Sequence, residues 1–193
     1  MADDPHDSAT ELWVVRHGET EWSASGRHTS TTDVPLTAAG EEAARLVGDR
    51  LAGTTFDLVL TSPRERARRT AALAGFPDAH VEGDLAEWAY GDYEGVTTAT
   101  IRETVPGWTV WTHPCPGGES AVQVGLRLDR VVAKVRARGG RVLAFGHGHA
   151  SRVLAARWLA QPVVEGRNFA LDTATVSILG YERETPVLAR WNA

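Results

Sequence analysis

Leu12-Trp13-Val14-Val15-Arg16-His17-Gly18-Glu19-Thr20 passes from four apolar residues straight into a cation, an imidazole and a glycine. The apolar run Leu12 to Val15 reads as a buried strand. Arg16 and His17 then stand at its carboxyl end, where open α/β sheets keep their ligand crevice. Gly18 omits a Cβ where backbone or ligand must come close. A guanidinium in such a place can hold anion oxygens bidentately, and the imidazole can attack phosphorus. Alone, the dipeptide reads more simply as a surface Arg-His pair at a strand end. The rest of the chain decides between the two.

At 193 residues, 42% hydrophobic and 23% charged, the chain has the make-up of one soluble globular domain with ample core. Its net charge of −5 argues against nucleic acid or an acidic membrane as the main partner. An anionic ligand would therefore need a local cationic pocket inside an acidic envelope. The single Cys115 excludes an internal disulfide and a multi-cysteine metal site. No stretch approaches the ~18 apolar residues of a membrane span. Met1 to Glu11 is polar and acidic, without the basic and apolar regions of a signal peptide. It is expected to be a flexible leader to a single domain over residues 12–193, and the cytoplasm is the expected location.

Ser, Thr and Gly crowd Glu21 to Asp33, a predicted loop that carries Arg27 and His28. Thr37 can cap a helix whose apolar stripe is Ala43, Ala44, Leu46, Val47 and Leu51. Phe56 to Leu60 is a second predicted strand, ending on Thr61-Ser62, and Pro63 opens the next helix. Of the arginines that follow, Arg68 and Arg69 read as solvated. One of the group lies in the first helical turn and can turn its guanidinium into the crevice beside Arg16. Leu85 to Gly118 breaks the rhythm as an aromatic, Gly- and Pro-rich excursion with a short helix near Thr98–Thr104, expected to fold over the crevice as a lid. Glu119 to Arg138 is an amphipathic helix whose expected apolar positions are Val122, Val124, Leu126, Leu128, Val131, Val132 and Val135, and it ends at Gly139-Gly140. Arg141 to Phe145 is a third buried strand, leading into Gly146-His147-Gly148-His149 and a helix from Ala150 to Leu159. Thr175–Tyr181 and Val187–Trp191 form a closing hairpin. This βαβα order predicts a three-layer α/β/α sandwich with a mostly parallel central sheet.

Three strands thus end in Arg16-His17, in Ser62 followed by arginine, and in His147. Brought together, they would put two arginines and two histidines around one cavity, a set suited to a dianionic phosphoryl group. A proton donor for the leaving group is then needed. Glu87 is the leading candidate, because Leu85 and Trp88 partly shield it, a setting that keeps a proton available.

These motifs resemble the signature of the histidine phosphatase (phosphoglycerate mutase-like) superfamily. The likeness runs in order through Arg16-His17-Gly18-Glu19-Thr20, Gly26-Arg27, Asp33-x-Pro35-Leu36-Thr37-x-x-Gly40 and Thr61-Ser62-Pro63-x-x-Arg66-Ala67-x-x-Thr70-Ala71. It continues in Leu85-x-Glu87-x-x-x-Gly91-x-x-Glu94-Gly95, Pro116-Gly117-Gly118-Glu119-Ser120 and Gly146-His147-Gly148. It implies a metal-free, two-step transfer with no cofactor. His17 would form a phosphohistidine. Arg16, Arg66 and His147 would hold the phosphoryl oxygens. Glu87 would protonate the leaving alkoxide and then activate water. Where the family has Asn after the first Trp, this chain has Ser23 after Trp22, so Thr20 or a water is expected to share that contact. The family's Thr-Gly after the arginine is Thr29-Ser30 here. Arg27 joins the phosphate-binding set, and Thr29, Trp108, Trp111 and His149 form the expected substrate rim.

Within the family, mutases carry a longer, more basic insertion after the Glu87 region. Here Glu94 to Glu119 is short, with Arg102 and His113 its obvious basic residues. Trp108 and Trp111 read as lid core, or, more sharply, as a contact for an apolar leaving group. The resemblance therefore implies a phosphatase for small phosphomonoesters, acid phosphatase-like. A phosphoglycerate mutase and a catalytically silent phosphate-binding scaffold are the alternatives. A metallohydrolase built on His147-x-His149 is disfavoured because the nearby arginines would oppose a cation. Dimers are common in the family, so a homodimer is open, and a small phosphorylated substrate is the expected partner.

Overall fold

The computed structural model describes residues 10–193, so most of the expected leader lies outside the described residues. Thr10 is buried, and Glu11 already belongs to the first strand. Six strands form one sheet: β1 (Glu11–Arg16), β2 (Leu58–Thr61), β3 (His80–Val81), β4 (Arg141–Gly146), β5 (Val176–Glu182) and β6 (Thr185–Arg190). Their spatial order is β3-β2-β4-β1-β5-β6. β3, β2, β4 and β1 pair in parallel, and β5 and β6 add an antiparallel edge.

The helices are α1 (Glu21–Ala24), α2 (Ala38–Leu51), α3 (Glu65–Leu73), α4 (Thr98–Thr104), α5 (Ala121–Arg138) and α6 (Gly148–Trp158). Alternation along the central strands sorts them into two layers. Val15, Leu143 and Phe145 pack with Val47 and Leu51 of α2 and Ala71 of α3. Leu12, Val14, Val142 and Ala144 face the other way, toward Val124, Leu128 and Val135 of α5 and Leu154 and Trp158 of α6. The three-layer sandwich with a mostly parallel sheet is therefore the observed fold.

Caps set the helix starts, at Thr37 as expected for α2 and at Ser120, one residue beyond the expected Glu119, for α5. Thr37 accepts from the Gly40 amide, and Ser120 and Gln123 close a capping box at α5. Gly18 and Gly40 meet backbone to backbone. A Cβ on Gly18 would lie 2.4 Å from the Gly40 carbonyl oxygen, and one on Gly40 would lie 2.2 Å from the Glu19 oxygen. The close neighbour that Gly18 admits is therefore α2.

Several expectations are corrected. The loop after β1 contains α1, because Thr20 and Ser23 cap each other. The second strand begins at Leu58, with Phe56 left to pack edge-on against Trp13 and Phe76. Val122 and Leu126 lie outside the apolar face of α5, at 69% and 59% exposure. The aromatic excursion is less a lid than a part of the body. Its Trp88, Tyr90, Ile101, Trp108, Val110 and Cys115 are buried in the same core as α5 and α6. Among the described residues, no helix is long and apolar enough to cross a membrane.

Candidate active site

β1, β2 and β4 all end at one place, and a cavity of about 200 Å³ opens beside it. Its wall includes Arg16, His17, Ser23, Arg27, Thr29, Glu87 and His149. Seven of the twelve residues expected at the site are thus brought to one cavity.

His17 follows the last residue of β1 and is buried. Its Nδ1 lies 2.7 Å from the Gly18 carbonyl oxygen, which can only accept, so Nδ1 carries the proton. Arg66 Nε then donates to Nε2 at 3.3 Å. Burial, followed by the charges of Arg66 and Arg16, holds this imidazole well below the ordinary histidine range, against the pull of the Gly18 carbonyl. The ring is neutral, with its lone pair on Nε2, which is the state a nucleophile needs.

Arg66, one residue into α3, is fully buried. Its other nitrogens donate to the Thr29, Ser30 and Thr32 carbonyls. The same residue therefore touches His17 and anchors the loop that carries Thr29. Arg68 and Arg69 are exposed, and Arg69 pairs with Glu41.

His147 precedes α6 and is also fully buried. Its ring meets that of His17 edge-on, with centroids 5.2 Å apart. Ser62, at the end of β2, bonds its Nε2 at 2.6 Å. Nδ1 of His147 and Nε of Arg16 are buried without hydrogen-bond partners. Burial, then Arg66 and His17, depress the His147 pKa strongly, so the free protein holds it neutral. Arg66 and His147 contact or flank His17 without forming cavity wall.

Glu87 presents its carboxylate to three backbone amides. Oε1 accepts from Trp88 at 2.8 Å and Ala150 at 2.7 Å, and Oε2 accepts from His149 at 3.0 Å. Two of these are amides of the first turn of α6, where the helix dipole favours negative charge. Arg127 of α5, buried, fixes the segment by donating to the Asp84, Ala86 and Glu87 carbonyls while pairing with Glu119.

Thr20 does not reach the cavity. Its hydroxyl accepts from the Ser23 amide, while the Ser23 hydroxyl accepts from the Thr20 amide and donates to its carbonyl. A helix of one turn needs both caps, so Ser23 lines the wall with its hydroxyl already engaged. Trp108 and Trp111 do not line the cavity either. Trp108 is buried with Nε1 on the Pro114 carbonyl, and Trp111 lies under the Arg152 guanidinium, 4.7 Å from it. Neither is placed to contact an apolar leaving group. They back the wall instead.

His28, Tyr90 and Arg152 also form the wall, and none was singled out for the site from the sequence. Arg152 had a legible signal, since it lies one helical turn beyond His149 on the same face. Arg27, Arg152 and Arg16 together make the cavity cationic within an acidic chain. Among the described residues, no group of three or more His, Cys, Asp or Glu could hold a metal ion. Arg102 and His113, the basic residues of the excursion, bond locally to the Trp108 carbonyl and to Thr112.

A family model described as the histidine phosphatase superfamily (branch 1) matches residues 12–193. An acid phosphatase of Mycobacterium tuberculosis is 47% identical over 182 residues, covering 92% of this chain and 90% of that protein. A sedoheptulose 1,7-bisphosphatase of Saccharomyces cerevisiae is 37% identical over 75% of this chain and 66% of its own length. A solved structure of an open reading frame product from Mycobacterium tuberculosis superposes with a TM-score of 0.90 at 46% identity, covering 95% of this chain and 97% of the other.

Proposed function

The chain belongs to the histidine phosphatase superfamily and is a small-substrate phosphoric monoester hydrolase, and we propose that it works through a phosphohistidine on His17 without a metal. In the first step Nε2 of His17 attacks phosphorus, a P–N bond forms, and the P–O bond to the leaving group breaks. Glu87 gives the leaving oxygen a proton; Oε2, with a single amide on it, has room to carry one. In the second step Glu87 takes a proton from water, the new hydroxide oxygen bonds to phosphorus, and the P–N bond breaks to release phosphate. Arg16, Arg66 and His147 hold the phosphoryl oxygens, which would give the unpartnered Arg16 Nε and His147 Nδ1 their acceptors.

The observation that carries this reading is the pair of contacts on His17: Nδ1 faces the Gly18 carbonyl and Nε2 accepts from Arg66, which leaves the ring neutral with its lone pair on Nε2. It also supports activity on the acid side. A nucleophile whose pKa is depressed by burial stays unprotonated below the ordinary histidine range. Phosphatase is preferred to mutase because the basic residues of the excursion are occupied locally and off the cavity wall. Cytoplasmic action is part of the same proposal, supported by the single, buried Cys115.

Mixtures of enzyme and labelled phosphomonoester denatured in alkali, with chelator present, test the route, because a P–N bond survives base and breaks in acid. Label should remain on the wild-type protein in alkali, be released on acidification, and be absent from His17→Asn. Turnover that depends on added metal, or a His17→Asn variant that still carries label, would overturn it.

A further inference from the structure

His28 and His149 both line the cavity, and the two-step chemistry uses neither side chain. Their rings are parallel within 9°, with centroids 6.2 Å apart. In each ring Nδ1 is engaged by the protein, and among the described residues Nε2 makes no hydrogen bond.

The two Nε2 atoms are chemically opposite. Nδ1 of His28 lies 2.7 Å from the Val96 carbonyl oxygen, which can only accept, so this nitrogen holds the proton. Burial keeps the ring neutral, and its Nε2 is an acceptor. Nδ1 of His149 lies 2.6 Å from the Tyr90 hydroxyl. Tyr90 is buried, and among the described residues this is its hydroxyl's one hydrogen bond, so we assign the hydroxyl as the donor and Nδ1 as the acceptor. Burial also keeps His149 neutral, with its proton on Nε2. One ring therefore offers an acceptor and its neighbour a donor.

With centroids 6.2 Å apart on one cavity wall, the two rings can be met by the same small ligand. A carboxylate or phosphate only accepts, and an ammonium only donates, so each would leave one histidine unmatched. A hydroxyl satisfies both. The pair is also held rigidly. His28 is met edge-on by Tyr90 and Trp108, at 4.7 and 5.2 Å, and His149 by Trp111 at 5.2 Å. Such backing fixes ring orientation before a ligand arrives.

We propose that His28 and His149 form a subsite that reads a hydroxyl on the leaving group, selecting phosphomonoesters of polyhydroxy alcohols over their deoxy counterparts. This rests on the phosphatase reading above and names the class of substrate for that same cavity.

The test compares glycerol 3-phosphate with n-propyl phosphate, which share a carbon chain and differ in hydroxyls. The wild type is expected to favour the glycerol ester in kcat/KM by roughly 10- to 100-fold, the yield of two hydrogen bonds. His28→Phe keeps a ring against Tyr90 and Trp108 but has no acceptor, and should cut that preference about 3- to 10-fold, chiefly through KM. His28→Gln returns an acceptor and should restore part of it. Equal turnover of both esters by the wild type, or an undiminished preference in His28→Phe, would overturn the subsite. Release of phosphate from neither ester would instead refute the phosphatase reading.

Discussion

Arg66 Nε donates to His17 Nε2 across 3.3 Å, while the rest of the same guanidinium ties down the Thr29, Ser30 and Thr32 carbonyls. One side chain thus orients the nucleophile and pins the loop on the cavity wall. Lysine carries the charge but not the planar fork. Arg66→Lys is expected to lower kcat toward p-nitrophenyl phosphate by about 100- to 1000-fold, and to lower the thermal midpoint as the loop loses its anchor. A variant with kcat close to wild type would show that the fork is dispensable.

The buried imidazoles make stability fall with acid. Burial holds His17, His147 and His149 well below the ordinary value of 6.5, and the arginine charges around the site add to the effect. Between those depressed values and 6.5 the unfolded chain binds more protons than the folded one. Stability is therefore fully present above 6.5 and declines as pH falls below it, by ~1.4 kcal/mol per pH unit for each histidine still unprotonated in the fold. Denaturant midpoints measured downward from neutral pH should drop steeply across the first unit below 6.5. A midpoint that is flat or rising there would contradict the burial of these rings as neutral species.

Gly18 should be intolerant for a reason unconnected with phosphate. The obstacle to a Cβ is the Gly40 carbonyl oxygen at 2.4 Å, and backbone cannot swing aside as a side-chain tip can. Gly18→Ala is expected to cost about 3 kcal/mol, or a thermal midpoint lower by roughly 6–12 °C. Calorimetry of the purified variant checks it, and an unchanged midpoint would mean that α2 can shift away from β1 without loss.

The strand ends were legible because a parallel strand buried on both faces is a continuous apolar run, and each such run stopped on charged or imidazole residues. That sufficed to bring Arg16, His17 and His147 together with one arginine of the helix after β2, which the family resemblance identified as Arg66. What the sequence could not convey was direction. Thr20 and Ser23 look like phosphate ligands in a Ser/Thr-rich loop, yet α1 consumes both hydroxyls as caps. Val122 and Leu126 look like core in a helical stripe, yet the stripe that faces α6 runs through Val124, Leu128 and Val135. Trp108 and Trp111 look like a lid, yet they are packed behind His28 and His149. Ser62 stood inside a recognised motif, but its bond to His147 joins residues 85 positions apart, and no local pattern encodes such a pairing.

Glu87 offers the sharpest division between structure and chemistry. Its two oxygens accept three amides, from Trp88, His149 and Ala150, so it ties the start of the aromatic segment to the first turn of α6. Glu87→Gln keeps the size and one acceptor oxygen but cannot carry a proton to a leaving group. If its work were structural alone, every substrate would suffer alike. If it is the proton donor, the loss must depend on the leaving group. A nitrophenolate departs unaided, whereas an alkoxide does not. Glu87→Gln is therefore expected to lose about 100- to 10,000-fold in kcat with glycerol 3-phosphate and far less with p-nitrophenyl phosphate in the phosphorylation step, read from the burst of nitrophenol under single-turnover conditions. Water attack on the phosphohistidine also needs Glu87 as base, so phosphoenzyme should accumulate in the variant after that burst. Equal losses with both esters, and no accumulation, would assign Glu87 to that structural tie alone and leave the proton to another group.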